Sequence, residues 1–200
     1  MADTVASLQQ SLTHSENKEL YFLDISKQNR VILPLEITKL ECAAKLETLH
    51  TSDNPRLTIP EGFDFTCLKN LSVLKMSQCG LTEFVEGFCD LHQLTILTLS
   101  YNNLSHFPDS LASLETLISL DLEGCNLESI PACIATLSSL MNLFLQRNKI
   151  QQIPAAFSKL CALQVLDLAH NQFTEFPEVA FDIPLLACID LNDYQFTRHY

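Results

Sequence analysis

The side chains best suited to metal binding or nucleophilic catalysis are eight cysteines and six histidines. A structural zinc site needs such ligands a few residues apart, and a cysteine nucleophile needs a histidine beside it as its base. The sequence contains no C-x-x-C pair, no H-x-x-x-H pair, no glycine-rich phosphate loop and no G-x-S-x-G motif. The spacing of these residues therefore predicts no metal site, no cofactor and no catalytic activity.

The cysteines are spread along the whole chain, at positions 42, 67, 79, 89, 125, 133, 161 and 188. Their even number allows a set of disulfides, but secreted disulfide scaffolds place their cysteines close together. The first twenty residues contain neither the basic segment nor the apolar stretch of a secretory signal. We therefore expect reduced thiols that pack as small apolar groups, in a cytoplasmic protein.

The chain is acidic, with 24 aspartates and glutamates against 12 lysines and arginines and a net charge of −12. Nucleic acids and anionic membranes attract proteins through basic surfaces, and no cluster of basic residues is visible here. The sequence also lacks the roughly 20 consecutive apolar residues of a membrane-spanning helix. The composition thus predicts neither a nucleic-acid partner nor a membrane, and it leaves the oligomeric state open.

An internal repeat organises the chain. Six segments fit the pattern L-x-x-L-x-L-x-x-[NC]-x-[LIF] and begin 23 residues apart, with Tyr194 in the asparagine or cysteine place of the last one. Two less regular copies precede them. The eight copies are called coils below, and positions within a coil are counted from its first leucine. The coils begin at Leu20, Leu46, Leu71, Leu94, Leu117, Leu140, Leu163 and Leu186.

We expect residues 20–200 to form one repeat domain of about eight coils, the last of them truncated. Two alternatives remain open for residues 1–19: the segment VASLQQSL forms a helical cap over the first coil, or the whole stretch is a flexible tail. Two alternatives also remain open for the other end. Either the chain is a fragment of a longer protein, or a partner covers its last edge.

The repeat pattern predicts one strand, one turn and one return segment in each coil. The alternation x-L-x-L-x has the period of a strand, so the leucines point inward and the residues between them point outward. The asparagine at position nine then satisfies backbone groups in the turn. Position fifteen is proline in six coils, which favours an irregular or short helical return over a second sheet. Stacked coils bury their leucines in one continuous core.

This pattern resembles the leucine-rich-repeat superfamily, and its 23-residue period is most similar to that of intracellular Ras-group scaffold proteins. The resemblance implies an α/β fold, a right-handed horseshoe-shaped solenoid with a parallel β-sheet on its concave face. It also implies a non-catalytic protein-interaction module or signalling scaffold. Two alternative functions remain: a targeting or regulatory segment of a larger signalling enzyme, and an extracellular recognition domain.

The candidate binding residues occupy positions five, seven and eight of the coils in the C-terminal half, where the strands face outward. The most informative is Phe144, because an aromatic ring at a solvent-facing position lowers solubility unless it packs locally or binds a partner. The acidic residues form either a solvated sheet face or a rim that attracts a basic partner protein. Arg147 contacts either that partner or a neighbouring acid. The partner-binding candidates are Tyr101, Asp121, Glu123, Phe144, Arg147, Asp167, His170 and Asp190.

Overall fold

The computed structural model describes residues 8, 10–14, 21–104 and 107–192. Within these ranges nine strands form a single sheet and lie side by side in chain order. The first pair is antiparallel and all later pairs are parallel. The strands are β1 (Leu12–His14), β2 (Tyr21–Asp24), β3 (Leu46–His50), β4 (Val73–Lys75), β5 (Ile96–Thr98), β6 (Ser119–Asp121), β7 (Asn142–Phe144), β8 (Val165–Asp167) and β9 (Cys188–Asp190).

The leucine at position four sets the register of the parallel strands. From β3 onward each such residue pairs with its counterpart in the next coil, as Leu120 does with Leu143 and Leu143 with Leu166. A shift by one residue would expose this row of buried leucines, so the alternation fixes the pairing. Positions three and five consequently point to the other side. We call that side, together with positions seven and eight that follow each strand, the open sheet face.

Short 3-10 helices form the return side of the coils, as the sequence predicted. A proline precedes five of the described helices, because its fixed φ suits the first turn and its missing N–H is not needed there. The helices are Leu35–Lys39, Ala43–Lys45, Phe65–Cys67, Glu86–Asp90, Asp109–Ser113, Ala132–Thr136, Ala155–Lys159 and Glu178–Asp182. Together with the parallel sheet, they confirm the predicted fold class.

The N-terminal residues add a strand that the sequence analysis did not predict. Strand β1 pairs antiparallel with β2, and Leu8 is fully buried in the core. The other residues of the 1–19 segment lie largely outside the described part of the chain, as do residues 193–200 of the last coil. The predicted boundaries of the cap and of the last coil therefore stay predictions.

The asparagine at position nine links neighbouring coils through their backbones. Asn148 Oδ1 accepts hydrogen bonds from the amides of Cys125 and Leu127, at 3.0 and 2.9 Å. Its Nδ2 donates to the carbonyls of Leu122 and Leu145, both at 2.9 Å. One buried side chain thus satisfies four backbone groups in two coils.

Cysteine takes the asparagine place in two coils, where its thiol makes part of the same linkage. Cys79 Sγ donates to the carbonyl of Thr51 and Cys125 Sγ to that of Leu99, each at 3.3 Å. Burial raises the pKa of Cys125 to about 12, so its thiol stays protonated and unreactive at neutral pH. None of the eight cysteines, all of which are described, forms a disulfide.

Thiol reactivity should follow burial. We expect the exposed Cys161 and Cys188 to be alkylated first in the native protein, whereas Cys79 and Cys125 should react only when the fold opens. Mass spectrometry after native alkylation, compared with alkylation in denaturant, measures both sets. Recovery of several disulfide-linked peptides from freshly prepared protein would contradict the expectation of reduced thiols.

Candidate functional site

A row of position-five residues places three acids beside one aromatic ring. Phe144 ends β7 and lies directly between Asp121 of β6 and Asp167 of β8, and Asp190 of β9 follows next to Asp167. The Phe144 side chain is half-buried. Four of the candidate residues are therefore neighbours across four successive strands, as the 23-residue period requires.

Each aspartate of this row also has a role within its own coil. Asp121 Oδ1 accepts from the amide of Glu123 at 3.0 Å, and Asp167 Oδ1 from that of Ala169 at 3.0 Å. Asp190 Oδ1 likewise accepts a hydrogen bond from the amide of Asn192 at 2.9 Å. The acids thus satisfy backbone amides just beyond the strand ends, which gives the acidic row a structural reason to exist.

The folded structure disfavours the charged form of two of these acids, Asp121 and Asp167. Burial is the main cause that raises the pKa of Asp121, and the nearby carboxylates of Glu123 and Asp167 raise it further. Burial also raises the pKa of Asp167, where Asp190 and Glu123 add their repulsion. A cation placed against this row would relieve the repulsion, so the surface favours basic groups.

Asp121→Asn should stabilise the folded chain at neutral pH. A carboxyl whose pKa is raised by folding contributes stability below its unfolded pKa and loses it as pH rises through the folded value. The gain from the uncharged amide should therefore shrink as pH falls from neutral through the raised pKa of Asp121. Denaturant unfolding of both proteins across this pH range measures the difference.

Asp64 provides a control of opposite sign. Hydrogen bonds from the hydroxyl and the amide of Thr66 lower the pKa of Asp64, so its charged form is the favoured one. Asp64→Asn should reduce stability at neutral pH, and the loss should vanish as pH falls. A change of the same sign in both variants would mean that the environment of Asp121 has been misjudged.

Glu123 joins three coils through its carboxylate. Tyr101 Oη donates to Glu123 Oε1, Gln146 Nε2 donates to Glu123 Oε2 at 2.9 Å, and Arg147 Nε lies 3.2 Å from Glu123 Oε1. Of the two roles left open for Arg147, the structure shows the ion pair with a neighbouring acid. Tyr101 and Arg147 have therefore already satisfied part of their hydrogen-bonding capacity within the chain.

Position eight adopts a left-handed backbone in every described coil where it can be compared. Tyr101, Arg147 and His170 have φ values of 56, 58 and 56°. This conformation is unusual for residues other than glycine. It is kept here because each position-eight amide donates a hydrogen bond to a backbone carbonyl of the next coil. In the coil between Tyr101 and Arg147 the residue is Gly124, and a Cβ there would lie 2.8 Å from the ring of Tyr101. The glycine therefore lets the tyrosine ring lie across the turn.

Position seven is less exposed than the sequence analysis assumed. Ser52 and Ser100 are buried, and Ser77 lies between them, with its amide 3.1 Å from Ser52 Oγ and its Oγ 2.8 Å from Ser100 Oγ. Glu123 at the same position is partly covered by its three partners. The open sheet face is thus cross-linked by side-chain hydrogen bonds, and positions three, five and eight present most of its accessible groups.

An apolar strip along the starting edge of the strands was missed in the sequence analysis. Ile96 begins β5, and Ile118 and Met141 immediately precede β6 and β7; their exposed fractions are 37%, 38% and 37%. Large apolar side chains with this exposure in adjacent coils form a candidate contact surface. Reading positions two and three as columns would have found it.

The described residues contain no cluster of three or more histidines, cysteines, aspartates or glutamates arranged to hold a metal ion. No helix in the described part of the chain has the length and apolar character needed to cross a membrane.

The repeat model for leucine-rich repeats matches residues 85–127 and 130–193, which together make up more than half of the chain. The chain belongs to the leucine-rich-repeat family. Domains of this family are generally protein-interaction modules. No curated protein sequence matches this leucine-rich-repeat chain significantly.

Solved structures of leucine-rich-repeat proteins share the fold. A leucine-rich-repeat protein of Leptospira interrogans is 26% identical, with a TM-score of 0.68 over 86% of this chain and 48% of its own. An internalin of Listeria monocytogenes (inlF) is 21% identical, with a TM-score of 0.69 over 90% of this chain and 49% of its own. Internalin C2 of the same organism is 24% identical, with a TM-score of 0.58 over 68% of this chain and 57% of its own. The chain thus spans about half the length of these proteins.

Proposed function

We propose that this leucine-rich-repeat chain is a non-catalytic interaction module that binds a partner protein on its open sheet face. The observation that carries the proposal is the position of Phe144, a half-exposed ring between Asp121 and Asp167. Aromatic residues are enriched in the buried centres of protein interfaces, which a polar rim surrounds.

The side chains along the open sheet face indicate which side chains the partner surface should carry. Strands β4 to β9 are three residues long, about 10 Å at roughly 3.3 Å per residue, so one partner segment reaches both edges. At the starting edge it meets Ile96, Ile118 and Met141, and at the other edge it meets the acidic row. We therefore expect a partner surface with apolar side chains beside lysine or arginine.

The arrangement favours binding because little has to be ordered. Glu123 already holds Tyr101 and Arg147, and the sheet fixes Phe144 between its neighbours. A preformed surface loses less conformational entropy on association than a flexible one. Arg147 then acts mainly by supporting the shape of the surface, and the energetic anchor is Phe144.

The proposal extends to a cytoplasmic scaffold in signalling, by analogy with the Ras-group proteins whose 23-residue repeat this chain resembles. The eight unpaired cysteines support a reducing compartment.

Affinity capture from cell extract tests the proposal. The wild-type chain is compared with the double variant Ile96→Ser/Phe144→Ser, at positions three and five of the open sheet face, and with Ile32→Ser, an exposed apolar residue outside that face. A genuine partner should be retained by Ile32→Ser and lost from the double variant, and its binding should weaken as salt is added. A partner that both variants retain equally would contradict binding through this face.

A further inference from the structure

A second exposed apolar surface lies on the return side, in the coil that begins at Leu163. Phe181, in the helix Glu178–Asp182, is 78% exposed, and its ring stacks on that of Phe176 with centroids 5.0 Å apart. Leu185, three residues beyond the helix, is 57% exposed. We call Phe176, Phe181 and Leu185 the terminal aromatic patch. Such exposure of large apolar side chains marks an interaction surface.

Phe181 and Leu185 depart from the repeat pattern, whereas Phe176 occupies position fourteen, which is apolar in the preceding coils as well. In the four preceding coils position eighteen is large and fully buried, and position nineteen is small. The pairs are Phe88 and Cys89, Leu111 and Ala112, Ile134 and Ala135, and Phe157 and Ser158. In the Leu163 coil the order is inverted, because Ala180 is the buried residue and Phe181 points outward.

Position nineteen is small where another coil packs against it. Ser113 Oγ, in the helix of the following coil, donates to the carbonyl of Cys89 at 2.6 Å, so the two helices approach closely. A phenylalanine in that place would hold off a following helix packed in the same way. Phe181 is therefore suited to a neighbour other than a regular coil.

Position twenty-three shows the same departure. It is Gln93, Thr116, Ser139 and Ala162 in the preceding coils and Leu185 here. Two positions that are small or polar elsewhere on the return side thus carry large apolar groups in one coil.

The charges near the patch indicate its occupant. Residues 171–185 contain three acidic side chains, Glu175, Glu178 and Asp182, and no lysine or arginine, and Glu178 and Asp182 share the helix of Phe181. A second copy of the chain would bring these acids against their own counterparts, which is unfavourable. The area is also small, since two aromatic rings offer roughly 150–250 Å² each, against about 800 Å² per partner in a stable interface.

We propose that the terminal aromatic patch is a second docking site, which takes a short segment of a partner protein with large apolar side chains flanked by lysine or arginine. The site is separate from the open sheet face, so the chain has two surfaces for two different segments. This inference does not rest on the proposed function of that face.

A synthetic peptide of alternating leucine and lysine serves as the probe, with a twin that has glutamate in place of each lysine. Fluorescence anisotropy gives the affinity, and amide chemical shifts of the labelled 200-residue chain locate the binding. We expect the leucine–lysine peptide to shift the amides of residues 178–185, and Phe181→Ser to weaken that binding about tenfold or more. The glutamate twin should not bind.

Matched variants distinguish binding at the terminal aromatic patch from binding at the open sheet face. Ile32→Ser removes an apolar side chain of 56% exposure elsewhere and should leave the affinity unchanged, as should Phe144→Ala on the open sheet face. If shifts appear only on the open sheet face, or if Phe181→Ser binds the peptide as the wild type does, the second docking site is wrong while the proposed function stands. Sedimentation of the wild type as a dimer that Phe181→Ser dissociates would also overturn it, because the occupant would then be a second copy.

Discussion

Asn148→Ala is expected to lower the free energy of unfolding by about 2–3 kcal/mol. The amide of Asn148 satisfies the N–H groups of Cys125 and Leu127 and the carbonyls of Leu122 and Leu145. Alanine supplies no replacement, and these groups lie in a buried turn that water does not reach. Urea unfolding followed by circular dichroism measures the loss.

Lys149→Ala provides the control for the same turn. The side chain of Lys149 is exposed, and its backbone amide bonds to Leu127 whatever the side chain is. Its replacement should change the stability by less than about 0.5 kcal/mol. Equal losses in the two variants would mean that the asparagine does not link the coils.

Phe144→Ala is expected to weaken a genuine partner of the open sheet face by about 2 kcal/mol, roughly thirtyfold. The ring is the largest apolar group in the position-five row, and its neighbours Asp121 and Asp167 exclude it from any aromatic packing across the row. The melting temperature should change little, because Phe144 projects from the side of the sheet opposite the leucine core. Titration calorimetry with the captured partner measures the affinity.

Thr98→Ala serves as the matched variant. Thr98 occupies position five two coils away, at the end of β5, and is also half-buried. Its replacement should alter the affinity by less than about threefold, under 1 kcal/mol. Similar losses for Thr98 and Phe144 would indicate that the sheet face contributes through its shape alone.

The fold could be predicted from the sequence because its determinants are local and periodic. The same residue types recur in register along the coils: leucine at positions one, four and six, asparagine at nine and proline at fifteen. Each coil therefore carries the same structural signals. Strand β1 could not be predicted in this way. Its three residues, Leu12–His14, belong to no coil, and they are held by a hairpin pairing with β2.

The candidate site was predicted only in part. The period places Asp121, Phe144 and Asp167 side by side, and the structure shows them so. The partners of Glu123 depend on rotamers in three coils, which the repeat pattern does not determine. The apolar strip was missed because Ile118 and Met141 lie just before β6 and β7, where the alternation of the strand does not apply, and they are exposed there.

Hydroxyl-radical footprinting of the chain with and without its captured partner tests binding through the open sheet face most directly. Aromatic and methionine side chains report the outcome, and the two sides of the solenoid each carry some. Binding through the open sheet face predicts that oxidation of Met141, Phe144 and Tyr101 falls in the complex while that of Phe181 is unchanged. Protection of Phe181 with continued oxidation of Met141 and Phe144 would contradict it.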